Sequence, residues 1–298
     1  MNFGQAIIEA LQSLSANKLR SGLTILGIVI GVGAVIAMLA VGQGAQDAIT
    51  GQISGIGSNL LFVFSGNFSE SVRNPQPLTV DDAEAMSDPF QAPSVAGVAP
   101  VLQSRLNITY GKEAASIQVQ GVTPSYSQVR NYNVVEGEFI SEEQNLGRAS
   151  VAILGPDAAE TLLGRRDGVV GEMIRIEGQS FRVIGLLESK GGSSFGSQDN
   201  VILVPFDTAQ SRLIRRSRNR VDVVYVQAVS ADAVASAAQE VSDILRQRHR
   251  TALGADDFTV FTQEDFVQTA QAITGVLTIF LGGVAGISLL VGGIGIMN

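Results

Sequence analysis

Two stretches of this chain carry no charge, and nothing else in the sequence constrains its fold as tightly. The first lies between Arg20 and Asp47, the second between Asp265 and the last residue, Asn298. Within the first, the core from Leu23 to Val41 has Thr24 as its only polar residue among Gly, Ala, Ile, Leu, Val and Met. A helix that crosses a bilayer needs about 20 such residues. The second segment starts at Val267. Gln268, Thr269 and Gln271 are still polar, and from Ala272 onward it is nearly all Gly, Ile, Leu and Val. Gly27 with Gly31, and Gly282 with Gly286, repeat the GxxxG spacing that lets helices approach closely in lipid. The first apolar stretch exceeds the h-region of a secretory signal, so the sequence predicts an uncleaved anchor.

Flanking charge sets the orientation. Lys18 and Arg20 precede the first span, Asp47 follows it, and Glu264 and Asp265 precede the second. The positive-inside rule then puts the N-terminus in the cytoplasm. Residues 1–20 place Phe3, Ile7, Leu11 and Leu14 on one helical face and Asn2, Gln5, Glu9 and Gln12 on another, the pattern of a cytoplasmic amphipathic helix lying on membrane lipid. The expected organisation is this helix, a first span with the start of a stalk over 21–46, an extracytoplasmic domain over 47–266, and a stalk end with a second span over 267–298. The sequence stops inside or just beyond that span, which reads as a fragment. Ala45, Gln46 and Ile49 on one side of the domain, and Phe266 and Gln268 on the other, are the candidate stalk residues.

The middle of the chain has ordinary globular polarity and reads as α+β. Asn59 to Phe64 is a strand, Thr79-x-x-Asp82 caps a short helix, and Val95 to Gln103 is extended. Val221 to Val229 is a second strong strand. A helix capped by Ser230 follows, with Val234, Ala237, Val241, Ile244 and Leu245 on one face, and Phe258 to Phe261 is again a strand. Two β-α-β units so far apart in sequence predict one split layer, over 54–104 and 221–264, with a mostly-β insert over 105–220. In the insert, Ile174 to Ile184 reads as a hairpin turning at Gly178. A helix opens at Gly155-Pro156 and closes at Gly164. Ser189 to Asn200 reads as a flexible loop.

Enzyme chemistry is hard to find. There is no cysteine and one histidine, His249, which excludes disulfides, thiolate chemistry and multi-histidine metal sites. Gly192-Ser193-Ser194-Phe195-Gly196 matches G-x-S-x-G, but a strand over Val201 to Val204 follows where a nucleophile elbow requires a helix. His249 sits among arginines on a helix face that reads as solvated. The acid pairs Asp81/Asp82, Glu142/Glu143 and Asp256/Asp257 read as caps or loop charges. No P-loop sequence occurs, so any ATP is hydrolysed by a partner and no cofactor is expected. Net charge is −8, and the one basic run, Arg215, Arg216, Arg218 and Arg220, is too small a footprint for nucleic acid.

The run from Lys18 to Val32 resembles the first span of MacB-type ABC transporter permeases. Gly44-Ala45-Gln46 and Gly57-Ser58-Asn59-Leu60 resemble the pattern that follows it. Gly121-Val122-Thr123-Pro124, the Gly137-Glu138-Phe139 turn, Val151 to Gly155, Leu163-Gly164, Val183-Ile184-Gly185 and Val204-Pro205 resemble that family's periplasmic core domain, in order. Glu138 stands where the family usually has Arg. Gly292 to Asn298 is similar to its second span. The resemblance implies a porter-like layer with a small α/β insert. It also implies a four-span homodimeric permease of the bacterial inner membrane, an ABC ATPase subunit as partner, and a periplasmic adaptor (membrane fusion) protein. Mechanotransmission, in which ATP-driven dimer closure moves the stalk and periplasmic domain, is the implied mechanism. The alternative is an FtsX-like or peptide-sensing transducer of the same architecture that transports nothing. Cargo is not readable from these residues.

Overall fold

The computed structural model describes residues 59–66, 75–193, 196–214, 216 and 219–297. In the first apolar segment and before it, it describes 5, 18, 22, 25–27, 29–33, 35–37, 40–42 and 44. The chain divides into two compact units, Gly51–Phe266 and the pair Met1–Thr50 with Val267–Asn298.

The larger unit is built on one ten-stranded sheet. Its strands are β1 (Leu60–Ser65), β2 (Val95–Tyr110), β3 (Glu113–Val122), β4 (Val134–Gly137), β5 (Val151–Leu154), β6 (Met173–Ile176), β7 (Gln179–Leu187), β10 (Val201–Pro205), β11 (Val223–Ala228) and β12 (Phe258–Thr262). A two-stranded ribbon, β8 (Gly192–Ser193) with β9 (Gly196–Ser197), stands apart. The order is β12-β1-β11-β2-β3-β10-β5-β7-β4, with β6 bridging β2 and β7. At one end β12, β1, β11 and β2 are all antiparallel neighbours. Each β-α-β unit therefore receives a strand of the other between its own two, which is the split arrangement of two interleaved units.

Strand alternation divides the core between the two faces. Leu61, Val63, Val224 and Val226 point to one face and pack in one cluster with Ala83 and Met86 of the Val80–Met86 helix and Ala237, Val241 and Leu245 of the Val234–His249 helix. Leu60, Val223 and Tyr225 point to the other, where Tyr126, Val129 and Tyr132 join them. Val223 to Val226 are all buried because β11 lies inside the sheet with both faces covered.

The strand expected to end at Gln103 instead continues to Tyr110. Its first half pairs with β11, its far end with β6, and β3 follows it from Val101 to Tyr110. The insert thus extends the same sheet, and its boundary at 105 falls inside a strand. The hairpin turns where expected, with Glu177 at φ 47° and Gly178 at φ 79°. The Pro156–Leu163 helix ends on Gly164 in the left-handed region. Gly137, at φ 80°, lies so close to the β7 backbone that a Cβ would collide with the Ile184 carbonyl. Glu138, beside it, accepts a hydrogen bond from Gln144 Nε2 at 3.0 Å.

Two helices, Ile25–Gly42 and Gln263–Ile287, are long and apolar enough to cross a membrane. Large side chains on them stand exposed, Ile279 at 78% and Phe280 at 67%. That is the surface a helix presents to lipid.

Candidate functional site

The Gln263–Met297 helix, long and apolar enough to cross a membrane, begins immediately after β12. Thr262 caps it. Its backbone N–H and its hydroxyl both donate to Asp265 Oδ2 at 2.7 Å, and the Asp265 N–H donates back to the Thr262 hydroxyl at 3.2 Å. This reciprocal pair satisfies helix-terminal donors and fixes the direction in which the chain leaves the strand. Phe266, one residue further, packs edge-on against Phe62 of β1, ring centroids 5.6 Å apart, and tilted on Phe261 of β12 at 5.2 Å. Glu264 and Asp265 lie in the first turn, where their charge suits the helix dipole.

Behind the root, at the start of β12, sits a buried charge cluster. His249, the last residue of the Val234–His249 helix, is 5% exposed. Its Nδ1 lies 2.8 Å from Asp257 Oδ1, and its Nε2 lies 3.5 Å from Asp82 Oδ2, an ion-pair distance rather than a hydrogen bond. Asp82 also receives Arg248 Nε on its other oxygen and the Thr79 backbone and hydroxyl donors. Asp257 Oδ2 accepts from the Gln76 N–H at 2.9 Å, and the Gly66 N–H donates to the Asp257 carbonyl at 2.7 Å. The cluster therefore brings together Gly66 at the end of β1, Gln76, the start of the Val80–Met86 helix, the C-terminus of the long helix and the residue just before β12.

The electrostatics follow from burial and pairing. The Asp82 carboxylate raises the His249 pKa, burial opposes this, and Asp257 adds to the rise, so the ring holds its proton above the usual histidine range. Burial alone would raise Asp82. The His249 ring beside it, with hydrogen bonds from Thr79 and Arg248, outweighs this and holds the carboxyl well below the usual range. A polar cleft of about 360 Å³ opens beside them, lined by Gln76, Pro77, Thr79, Asp81, Asp82, Arg248 and His249. Asp82, Arg248 and His249 there already pair with one another. Among the described residues no group of His, Asp and Glu is placed to hold a metal ion.

His249 thus departs from its expected place on a solvated face. Asp82 caps its helix as expected but is also buried, and Asp256 pairs with Arg246 at 2.7 Å. Ser194 of the G-x-S-x-G run lies outside the described residues, as do Ala45, Gln46 and Ile49. Gln268 is exposed on its helix, and Phe266 is 42% exposed. Gly27 and Gly31 are buried within their unit while the neighbouring Ile25, Leu26, Val29 and Ile30 are exposed. Gly282 and Gly286 face open space, and the buried residue beside them is Ala285. Sequence reasoning missed Thr262 as a cap, although Thr-x-x-Asp is the same signal that marked Thr79.

Comparison with known proteins now has a fold and a site to rest on. The family model described as the MacB-like periplasmic core domain matches residues 21–244. The chain belongs to that family. It is 39% identical over 298 residues to the macrolide export ATP-binding/permease protein MacB of Bdellovibrio bacteriovorus, covering 97% of this chain and 45% of that one. It is 33% identical over 300 residues to the pyoverdine export ATP-binding/permease protein PvdT of Pseudomonas putida, covering 97% and 44%. The chain thus spans a little under half the length of these relatives. The periplasmic region of MacB from Actinobacillus actinomycetemcomitans has the same fold, with TM-score 0.58 at 20% identity over 74% of this chain and 95% of that one. The extracellular domain of the ABC-type transporter YknZ from Gram-positive bacteria does so at TM-score 0.55 and 22% identity, over 68% and 100%. The sequence had pointed to this family, and to an ABC transporter permease with a periplasmic core domain, through its ordered motifs.

Proposed function

We propose that this chain is the membrane and periplasmic part of a MacB-type export permease and works by mechanotransmission. The observation that carries the reading is the unbroken passage from β12 into the Gln263–Met297 helix, with its first turn capped by Thr262 and keyed to the sheet by Phe266. A helix continuous with a central sheet transmits displacement, where a flexible joint would absorb it. No residue in either apolar stretch is charged, which removes a path for an ion through them and favours motion over conduction.

The proposal includes a cytoplasmic N-terminus, the domain in the periplasm, an ATP-hydrolysing ABC domain on the inner side, pairing with a second copy, and a periplasmic adaptor. The chain itself supplies no catalytic group. Ala45, Gln46 and Ile49 form the other stalk arm, Gln268 continues the arm beyond Phe266, and the four glycines at 27, 31, 282 and 286 allow close helix contacts in the bilayer. Relatives named for macrolide and pyoverdine export make the cargo a small molecule released from the periplasmic side.

Insertion of Gly-Gly-Ser between Thr262 and Gln263 tests this reading in cells. Export should fall to the level of a transporter-null strain, while the protein still purifies with an ABC ATPase domain. Undiminished export by the insertion variant contradicts the mechanism, and purification without any ABC ATPase contradicts the permease assignment.

A further inference from the structure

On the face of the sheet opposite the Val80–Met86 and Val234–His249 helices, one buried guanidinium has no carboxylate paired with it among the described residues. Arg130 follows the Tyr126–Val129 turn of helix and is 6% exposed. Its guanidinium carbon lies 4.7 Å from the ring centroid of Tyr225, 5.7 Å from that of Phe62 and 5.8 Å from that of Tyr132. These ring faces attract the charge. They do not accept the N–H groups in the plane of the fork. Nε and Nη1 are both buried without a hydrogen-bond partner, and Nη2 reaches Gln198 Oε1 only at 3.4 Å.

A second cation stands beside it. Lys190 Nζ donates to the Arg130 carbonyl at 2.6 Å and lies 4.2 Å from the Tyr132 ring centroid. Burial first, and the Arg130 charge second, push the Lys190 pKa down to about 8. Glu188 and Asp199 lie near enough to Lys190 to oppose that fall, and each also serves other donors. Asp199 accepts from the Ser189 hydroxyl and from the backbone N–H groups of Lys190 and Gly191, and Glu188 accepts from Asn133 Nδ2. Buried arginines are ordinarily paired, because an uncompensated charge in a low-dielectric site is strongly unfavourable.

We propose that Arg130 and Lys190 form a binding site for a carboxylate. The planar fork of arginine matches the two oxygens of a carboxylate, and the rings of Tyr132 and Tyr225 supply flat walls for a small organic acid. Gln198 is half-exposed and weakly held, so rotation of its side chain opens the route to the guanidinium. The site does not depend on the transport reading, although Phe62, one of the rings over its guanidinium, also meets Phe266 at the root of the Gln263–Met297 helix.

The chain offers its own reporter. It has no tryptophan and four tyrosines, and three of these, Tyr126, Tyr132 and Tyr225, pack against one another around Arg130. Tyrosine fluorescence of the full chain in detergent, titrated with sodium acetate at constant ionic strength held by chloride, should show a saturable change. Arg130→Gln and Arg130→Lys should each weaken it by roughly tenfold to a hundredfold, the span of one charged hydrogen bond. Lys190→Gln should weaken it less. Inorganic phosphate serves as the competing anion, and tighter saturation by phosphate than by acetate overturns the carboxylate assignment. So does an unsaturable response, or one unchanged in folded Arg130→Gln. Should the Arg130 variants fail to fold, the Nε–H resonance of Arg130 in the unsubstituted chain must shift with acetate, and a resonance that stays fixed through the titration refutes the site.

Discussion

Two helices of this chain begin with the same device, and the chain uses it differently each time. Thr79-Val80-Asp81-Asp82 and Thr262-Gln263-Glu264-Asp265 both close a Thr–Asp capping box, with the returning Asp N–H 3.2 Å from the threonine hydroxyl in each. At Asp82 the capping carboxylate is buried at 3% exposure and also holds Arg248 and His249. At Asp265 the carboxylate is half-buried and serves the start of the Gln263–Met297 helix. The first box is a lock in the core, the second a joint. Local sequence specifies the cap, and tertiary surroundings decide what the cap does.

The largest effect expected from breaking this comparison is at Asp82. Asp82→Ala removes the cap and leaves His249 and Arg248 facing a cavity, at a cost of about 3–5 kcal/mol, the range for splitting a buried pair. Urea unfolding followed by tyrosine fluorescence measures it, and a loss below about 1 kcal/mol would mean that Asp82 is only a cap. The same lock predicts a pH dependence. The folded pKa of His249 is raised, so its contribution is complete below about 6.5 and is lost as pH rises through the folded value. The folded pKa of Asp82 is lowered, so its contribution persists until strong acid. Stability of the Gly51–Phe266 unit should therefore decline as pH rises above about 6.5, and His249→Gln should flatten that decline. A slope that survives the substitution assigns it to another group.

The joint should be softer. Thr262→Ala is expected to cost about 1 kcal/mol of local helix stability, seen as faster amide exchange in the first turn and little change in global unfolding. Phe266→Ala is smaller still. Its rings contribute about 0.5–1.5 kcal/mol at most beyond area, and the residue is 42% exposed. On the proposed mechanism its effect should appear in export before it appears in stability. A Phe266→Ala protein as unstable as Asp82→Ala would erase the distinction between lock and joint.

What could be read beforehand follows the range of the forces involved. The Glu177–Gly178 turn, the Pro156–Leu163 helix and the Val223–Ala228 strand announce themselves in a few adjacent residues, and so do the two apolar segments. The length of β2 does not, because Pro100 and the polar Gln103, Ser104 and Arg105 interrupt its pattern while pairing to β3 carries it through. His249 reads as solvated because arginines surround it in sequence, and its two carboxylates come from other elements. The Thr262 cap is hidden for a simpler reason: β12 passes straight into the helix, so no loop separates strand from cap. Arg130 carries no local signal at all, since its rings arrive from β1, β11 and the turn that follows it.

On the proposed mechanism, β12 runs into the Gln263–Met297 helix without a hinge. Amide hydrogen exchange across residues 258–270, with the full chain in lipid nanodiscs, tests it most directly. The account predicts protection from the start of β12 through the capped first turn with no fast-exchanging break at Glu264 to Val267 beyond the turn's unpaired amides. Exchange at unstructured-chain rates throughout that stretch, between a protected strand and a protected membrane helix, would reveal a hinge and contradict it.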